Sequence, residues 1–131
     1  MKQMIVAGVN FFDTAEAYGF GAAETCMGRA LKELSEELKF KRKDICVTTK
    51  FYFSGKGVND VGLSRKHIIE SMRNSLKRLQ MEYVDICYAH RPDYETPLEE
   101  TVRAFSWCID KGLSRYWGTS EWPAVRIEEA C

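Results

Sequence analysis

The chain alternates between short apolar runs rich in β-branched residues and longer segments in which apolar residues recur every three or four positions. The short runs predict strands, and the longer segments predict amphipathic helices. Four strands are expected, ending near residues 13, 50, 89 and 119. A full helix follows each of the first three strands, and the start of another helix follows the fourth. This alternation predicts right-handed βαβ units and therefore a parallel sheet.

The predicted helices carry recognisable signals at their ends. Ser64 is placed to cap the second helix, and Thr96 is expected to be the N-cap of the third, with Pro97 at its first helical position. Gly112 stands where a glycine commonly follows the end of a helix. The residues expected to face the core are Met27, Leu31, Leu34 and Leu38; Ile69, Met72, Leu76 and Leu79; and Leu98, Val102, Phe105 and Ile109.

Composition narrows the class of protein. The 131 residues, 45% hydrophobic and 29% charged, are typical of one globular domain, here residues 1–131. Lysine plus arginine and aspartate plus glutamate number 19 each, so no positive excess favours nucleic acid. No segment is typical of a membrane span or signal peptide, and we expect a cytoplasmic location. Five cysteines without a C-x-x-C pair argue against a disulfide framework and a zinc site.

The architecture is predicted from a missing nucleotide-binding motif and from polar residues at the strand ends. No G-x-G-x-x-G follows the first strand, so a doubly wound nucleotide-binding sheet lacks its local signature. The remaining common architecture is part of a (β/α)8 TIM barrel, with about four βα units and parallel strands. Active sites of such barrels lie at the carboxyl ends of the strands. Here the predicted strands end near four polar residues, Asp13, Lys50, His90 and Ser120.

These strand-end residues suggest proton chemistry. We expect Asp13 to be buried and to require a partner, which Lys50 on the next strand supplies. A nearby ammonium group favours the phenolate form of a tyrosine, so Tyr18 is a candidate general acid. His90 is a candidate to hold and polarise a substrate oxygen. The set suits protonation of a carbonyl oxygen while hydride reaches the carbon, and the hydride requires a nicotinamide cofactor.

The segments FDTAEAYG, TTK, AHRPD and WGTSEW, in this order, resemble the aldo-keto reductase superfamily, in particular the branch that contains voltage-gated potassium channel β subunits and related enzymes. The resemblance implies a barrel of eight βα units, of which this chain holds the second to fifth strands. It implies NADPH as the cofactor and aldehydes or ketones as substrates. By the same resemblance the catalytic residues are Asp13, Tyr18, Lys50 and His90, and the cofactor-binding residues are Asp13, Ser120 and Glu121.

Two departures from the family pattern bear on function. His90 stands where the channel subunits have asparagine, which favours an enzyme. Glu121 stands where the family has asparagine or arginine at the nicotinamide amide, and its charge would weaken cofactor binding.

Three functions therefore remain open. The first is NADPH-dependent reduction of a small carbonyl compound. The second is a redox-sensing subunit that docks on a membrane potassium channel. The third is a chain that carries the motif without the activity. In that case its unpaired sheet edges favour a homo-oligomer, and the isolated chain is expected to bind NADPH poorly or not at all.

Other polar and aromatic residues receive structural interpretations. His67 lies among charged neighbours in a helix and is interpreted as a solvated residue. Glu16 and Asp93 are interpreted as polar loop residues at the mouth of the pocket. Trp122, beside Ser120, is at least as well suited to packing as to contact with substrate.

Overall fold

The computed structural model describes all 131 residues. Four strands form a single sheet in the order β1-β2-β3-β4, and every neighbouring pair is parallel. The prediction of parallel βα units is confirmed. Along the chain the elements are α1 (Lys2–Val6), β1 (Phe11–Asp13), α2 (Ala22–Leu38), a turn of 3-10 helix (Arg42–Asp44), β2 (Cys46–Phe51), α3 (Arg65–Leu79), β3 (Val84–Ala89), α4 (Leu98–Asp110), β4 (Ser114–Thr119) and α5 (Ala124–Ala130).

The strand order determines where the helices and the strand ends lie. Strand order follows chain order, so right-handed crossovers place the helices on one face of the sheet. There α2 packs against α3, and α3 packs against α4. The parallel register places Asp13 opposite Thr48, and Ala89 opposite Thr119. The carboxyl ends of all four strands therefore meet at one edge of the sheet, which we call the rim.

A core of buried apolar side chains fills the space between the sheet and the helices. It includes Val47 and Val84 from the central strands and Met72 from α3, none of which is exposed to solvent. Phe105 of α4 stacks on Phe51 of β2, with ring centroids 6.2 Å apart. The core thus joins the helical layer to the two central strands, β2 and β3. None of the five helices combines the length and the apolar content that a membrane span requires.

Met72, Leu76 and Leu79 of α3 and Phe105 of α4 are buried as predicted, but other positions on these two helices differ from the prediction. In α3 the fully buried isoleucine is Ile68, whereas Ile69 is half-buried. In α4 Ala104 and Cys108 are buried, whereas Ile109 is half-buried. The prediction selected large apolar residues only. Small side chains permit closer packing between elements, so their face of a helix can become the buried one.

One of the two predicted N-terminal helix caps is confirmed. The Ser64 hydroxyl accepts the backbone N–H of His67 at 3.2 Å. The prediction that Thr96 caps α4 is wrong, because Pro97 occupies the N-cap position and makes no side-chain cap. The Asp93 carboxylate instead accepts the backbone N–H of Thr96 at 3.2 Å. This bond holds Thr96 in the turn that precedes the helix.

Close contact between α2 and α3 makes Gly28 a sensitive position. A Cβ atom there would lie 2.3 Å from the carbonyl oxygen of Leu79 and 2.6 Å from its Cα. Because these are backbone atoms, a helix would have to shift. We expect G28A to lower the free energy of unfolding by about 1–3 kcal/mol, although alanine is the better helix former. Urea denaturation measures this change.

The matched control is E33A, an exposed position of the same helix. It is expected to change the free energy of unfolding by no more than about 0.5 kcal/mol. Equal stability of G28A and the wild type would contradict the contact.

Candidate active site

The rim brings together the four residues that the sequence analysis selected for catalysis. Lys50, at the end of β2, forms an ion pair with Asp13 Oδ2 at the end of β1. The same ammonium donates to the carbonyl oxygen of Thr14 at 2.9 Å. It also lies 3.3 Å from the hydroxyl oxygen of Tyr18. The Lys50 ammonium is therefore the centre of the cluster.

The Asp13 side chain is more exposed than predicted. Asp13 was predicted to be buried, but its side chain is 43% exposed, whereas that of Lys50 is 11% exposed. The physical reason is that β1 is an edge strand, whereas β2 has neighbours on both sides. Thr48, two residues before Lys50, donates its hydroxyl to Asp13 Oδ1 at 2.6 Å. Both carboxylate oxygens are thus held, and Asp13 is fixed in front of Lys50.

Tyr18 lies in the turn that follows β1. Its backbone N–H donates to the carbonyl oxygen of Ala15 at 3.1 Å. The Lys50 ammonium lies 4.9 Å from the centroid of the tyrosine ring. The ring meets that of His90 edge to face, with centroids 5.9 Å apart. Because 43% of the residue remains exposed, a molecule at the rim can reach Tyr18.

His90 follows β3 and is 7% exposed. Its backbone N–H donates to the carbonyl oxygen of Phe51 at 3.0 Å, which fixes the residue against the end of β2. Its ring Nδ1 is buried and has no hydrogen-bond partner. Burial, assisted by the nearby cations Arg91 and Lys50, holds the pKa of His90 below its usual value. The ring is therefore neutral at pH 7 and offers one N–H donor and one acceptor nitrogen.

Ser120 and Glu121 lie at the end of β4, on the other side of the rim. The Ser120 N–H donates to the carbonyl oxygen of Ala89 at 3.0 Å, which continues the sheet past β4. Glu121 has a left-handed backbone with φ of 56°, and its side chain is 70% exposed. Its carboxylate lies 3.3 Å from Arg91 Nη2. This ion pair offsets the charge of Glu121. No hydrogen bond joins Ser120 or Glu121 to Asp13, Tyr18 or Lys50.

Two residues interpreted as structural are buried behind the cluster. Glu16 lies in the loop after β1, as expected, but it is only 1% exposed, so it is not a simple polar loop residue. His67 is 3% exposed, so its interpretation as a solvated residue is wrong. Glu16 Oε1 accepts the backbone N–H of Tyr52 at 2.7 Å and lies 3.2 Å from His67 Nε2. A sequence signal for this face exists, because His67, Ser71 and Ser75 recur every four residues.

A second buried carboxylate supports the strand next to Lys50. Glu24 of α2 has no exposure to solvent. It accepts the hydroxyl of Thr49 at 2.6 Å and the Nε hydrogen of Arg78 at 2.5 Å. No motif in the sequence marks this group. It links α2, β2 and α3 directly behind the rim.

Asp93 is also buried rather than a simple polar loop residue. It accepts the backbone N–H of Leu63 at 2.7 Å and of Glu95 at 2.9 Å. Burial alone would raise the pKa of Asp93, but these hydrogen bonds, with that from Thr96, outweigh burial and hold the pKa below its usual value. Asp93 thus joins the loop before α3 to the loop before α4.

The comparisons with known proteins agree with this geometry. The model of the Aldo/keto reductase family matches residues 1–131. The chain belongs to the aldo/keto reductase family. Two plant relatives of this aldo/keto reductase chain, from Oryza sativa subsp. japonica and Arabidopsis thaliana, are each described as "Probable voltage-gated potassium channel subunit beta". Both are 58% identical to it, over 124 and 123 residues respectively. The matches cover 95% and 94% of this chain but only 37% and 36% of the relatives.

Solved aldo-keto reductases share the fold. A thermostable aldo-keto reductase in complex with the inhibitor epalrestat matches with a TM-score of 0.84 and 36% identity, over 98% of this chain and 42% of that one. An aldo/keto reductase from Klebsiella pneumoniae in complex with NADP and acetate matches with a TM-score of 0.76 and 29% identity, over 97% and 40% of the two chains. The prediction of a partial TIM barrel is confirmed.

Proposed function

We propose that this chain carries the catalytic residues of an NADPH-dependent aldo-keto reductase, which reduces aldehydes or ketones with Tyr18 as the general acid. The observation that carries the proposal is the position of the Lys50 ammonium between the Asp13 carboxylate and the Tyr18 hydroxyl. These groups lie at the rim, where barrels of this kind have their active sites. Membership of the family and the reductase neighbours support an oxidoreductase.

The proton is proposed to come from the Tyr18 hydroxyl. When Tyr18 donates to a carbonyl oxygen, negative charge is left on the phenolate oxygen. The Lys50 ammonium, 3.3 Å away, stabilises that charge. The ion pair with Asp13 holds the Lys50 ammonium in place. The neutral ring of His90 is proposed to donate its N–H to the same carbonyl oxygen and to orient it.

The residues at the rim fit a nicotinamide cofactor and a carbonyl compound. The unpartnered Nδ1 of His90 and the donors on Tyr18 and Lys50 all belong to one small cluster. NADPH supplies the hydride when bound, since no side chain can do so. Asp13 and Ser120 are proposed to hold its nicotinamide end. Glu121 is a weaker candidate, because its carboxylate pairs with Arg91. His, Cys, Asp and Glu side chains form no group of three that could hold a metal ion.

A barrel chimera tests this proposal. The matched segment of the Arabidopsis relative is replaced by this chain, so that the relative supplies the remainder of the barrel. We expect the chimera to oxidise NADPH when an aromatic aldehyde is added. K50M is expected to abolish this activity, and K111M, at the far end of α4, is expected to retain it. NADPH oxidation that is independent of the aldehyde, or unchanged in K50M, would overturn the proposal.

A second candidate function is that of a subunit that docks on a membrane potassium channel. The identity of 58% to two plant channel β subunits favours it. We expect the barrel chimera to be retained on an immobilised cytoplasmic domain of a plant voltage-gated potassium channel, as the Arabidopsis relative would be. Retention of the relative without retention of the chimera would exclude a docking surface within this chain.

A further inference from the structure

We propose that Glu16 and His67 form a positioning pair, which shares one proton and fixes the loop carrying Tyr18 against Lys50. The pair lies outside the catalytic cluster and acts through the backbone. The role of the pair in catalysis rests on the proposed function. The geometry of the pair and its protonation do not depend on that function.

Glu16 joins the loop to both sides of Lys50. It lies two residues before Tyr18, and its backbone N–H donates to the carbonyl oxygen of Lys50 at 3.2 Å. Its side-chain Oε1 accepts the backbone N–H of Tyr52, two residues after Lys50, at 2.7 Å. The position of the Tyr18 hydroxyl relative to the ammonium therefore depends on the orientation of one buried carboxylate.

The hydrogen bonds of His67 show where its protons must be. Ring Nδ1 lies 2.8 Å from the carbonyl oxygen of Asn59, which can only accept, so Nδ1 carries a hydrogen. Ring Nε2 lies 3.2 Å from Glu16 Oε1. A neutral ring with its hydrogen on Nδ1 would turn a lone pair towards the carboxylate, which is repulsive. The contact is attractive only when the pair holds one further proton.

Charge and burial support the same conclusion. The side chain of Glu16 has no exposure to solvent, and its Oε2 has no hydrogen-bond partner. A buried carboxylate without a compensating charge is costly, and His67 supplies that charge when both its nitrogens are protonated. Ser71 Oγ, 3.2 Å from Nε2, is neutral and cannot replace it. The charged groups that face His67 are Glu16, from the loop after β1, and Asp60, from the loop before α3, and both are acidic.

The stabilising contribution of the Glu16–His67 pair depends on pH. Burial opposes protonation of His67, but the hydrogen bonds to Glu16 and to the carbonyl of Asn59 outweigh it and raise the pKa of His67 above its usual value. A raised pKa in the folded state means that the pair stabilises the fold fully below about pH 6.5, the value for an unfolded histidine. That contribution is lost as the pH rises through the folded pKa. The hydrogen bond between Glu16 and His67 is therefore expected to weaken on the alkaline side.

Histidine NMR on the full 131-residue chain tests the proton directly. The chain has only two histidines, so H90Q assigns the signals of His67. At pH 6 we expect both ring nitrogens of His67 to be protonated. In E16Q we expect a neutral ring with its hydrogen on Nδ1 at pH 7. The backbone amide of Tyr52 should shift with the same midpoint as His67, and H67Q should abolish that step.

A neutral His67 at pH 6 in the wild type would overturn the proposal. So would a Tyr52 amide that does not respond when His67 titrates. Both readings are made on the unaltered chain, and H90Q serves only to assign the signals, so a failure of E16Q or H67Q to fold does not prevent the test.

Kinetics of the barrel chimera test the positioning role. We expect E16Q and H67Q to lower kcat by about 10- to 100-fold with little change in KM. Because the pair loses its proton on the alkaline side, we expect kcat of the unaltered chimera to fall there, and H67Q to remove that fall. The matched control is E70Q, an exposed carboxylate of α3 paired with Lys66, which should change neither measurement. If the chimera is inactive but His67 is protonated, the proposed reductase function is rejected and the proposed Glu16–His67 pair is retained. An active chimera with kcat unchanged in E16Q and H67Q would reject the positioning role.

Discussion

Replacing Tyr18 by phenylalanine is expected to lower kcat of the barrel chimera for carbonyl reduction by about 10²- to 10⁴-fold, the usual contribution of a general acid. The substitution removes the hydroxyl that lies 3.3 Å from the Lys50 ammonium. It keeps the ring that packs against His90 and lies near Lys50. The proton donor is therefore lost while the packing of the turn is preserved, and NADPH binding should remain.

Two measurements distinguish a chemical role from a structural one. The kcat value with an aromatic aldehyde reports the chemical contribution, and quenching of NADPH fluorescence reports cofactor binding. The matched control is Y116F on β4, because Tyr116 is also exposed, at 67%. An unchanged kcat in Y18F would reject Tyr18 as the acid. Loss of NADPH binding together with kcat would show that the hydroxyl maintains the site instead.

Replacing Arg78 by methionine is expected to lower the free energy of unfolding by about 3–5 kcal/mol. The Glu24 side chain has no exposure to solvent, and the guanidinium of Arg78 is its ion-pair partner at 2.5 Å. Without Arg78 the carboxylate retains the hydroxyl of Thr49 but has no compensating charge. Because small domains are stabilised by only about 5–15 kcal/mol in total, this loss is a large share of the stability.

Urea denaturation of R78M gives the size of the effect, and K77M on the same helix is the control. Lys77 is exposed, so K77M is expected to stay within about 0.5 kcal/mol of the wild type. The double variant E24Q/R78M should recover part of the loss, since a neutral amide needs no cation. Equal unfolding midpoints for R78M and K77M would show that Glu24 does not depend on its partner.

The sequence by itself determined the order of strands and helices and the edge of the sheet at which the chemistry is proposed to occur. Both rest on local regularities. Apolar periodicity distinguishes strand from helix, and parallel connection directs every strand end to the same side. The selection of Asp13, Lys50 and His90 as neighbours at one rim therefore needed no knowledge of side-chain packing.

Only the tertiary structure decided which of the polar residues are buried and what each one contacts. Asp13 is exposed because β1 is an edge strand, and His67 is buried because α3 turns that face towards the loop after β1. The Glu16–His67 contact joins residues 51 positions apart, and the Glu24–Arg78 contact joins residues 54 apart. A four-residue spacing marks the face of α3 that carries His67, but no periodic pattern identifies the partner, because that depends on which distant element packs against the face.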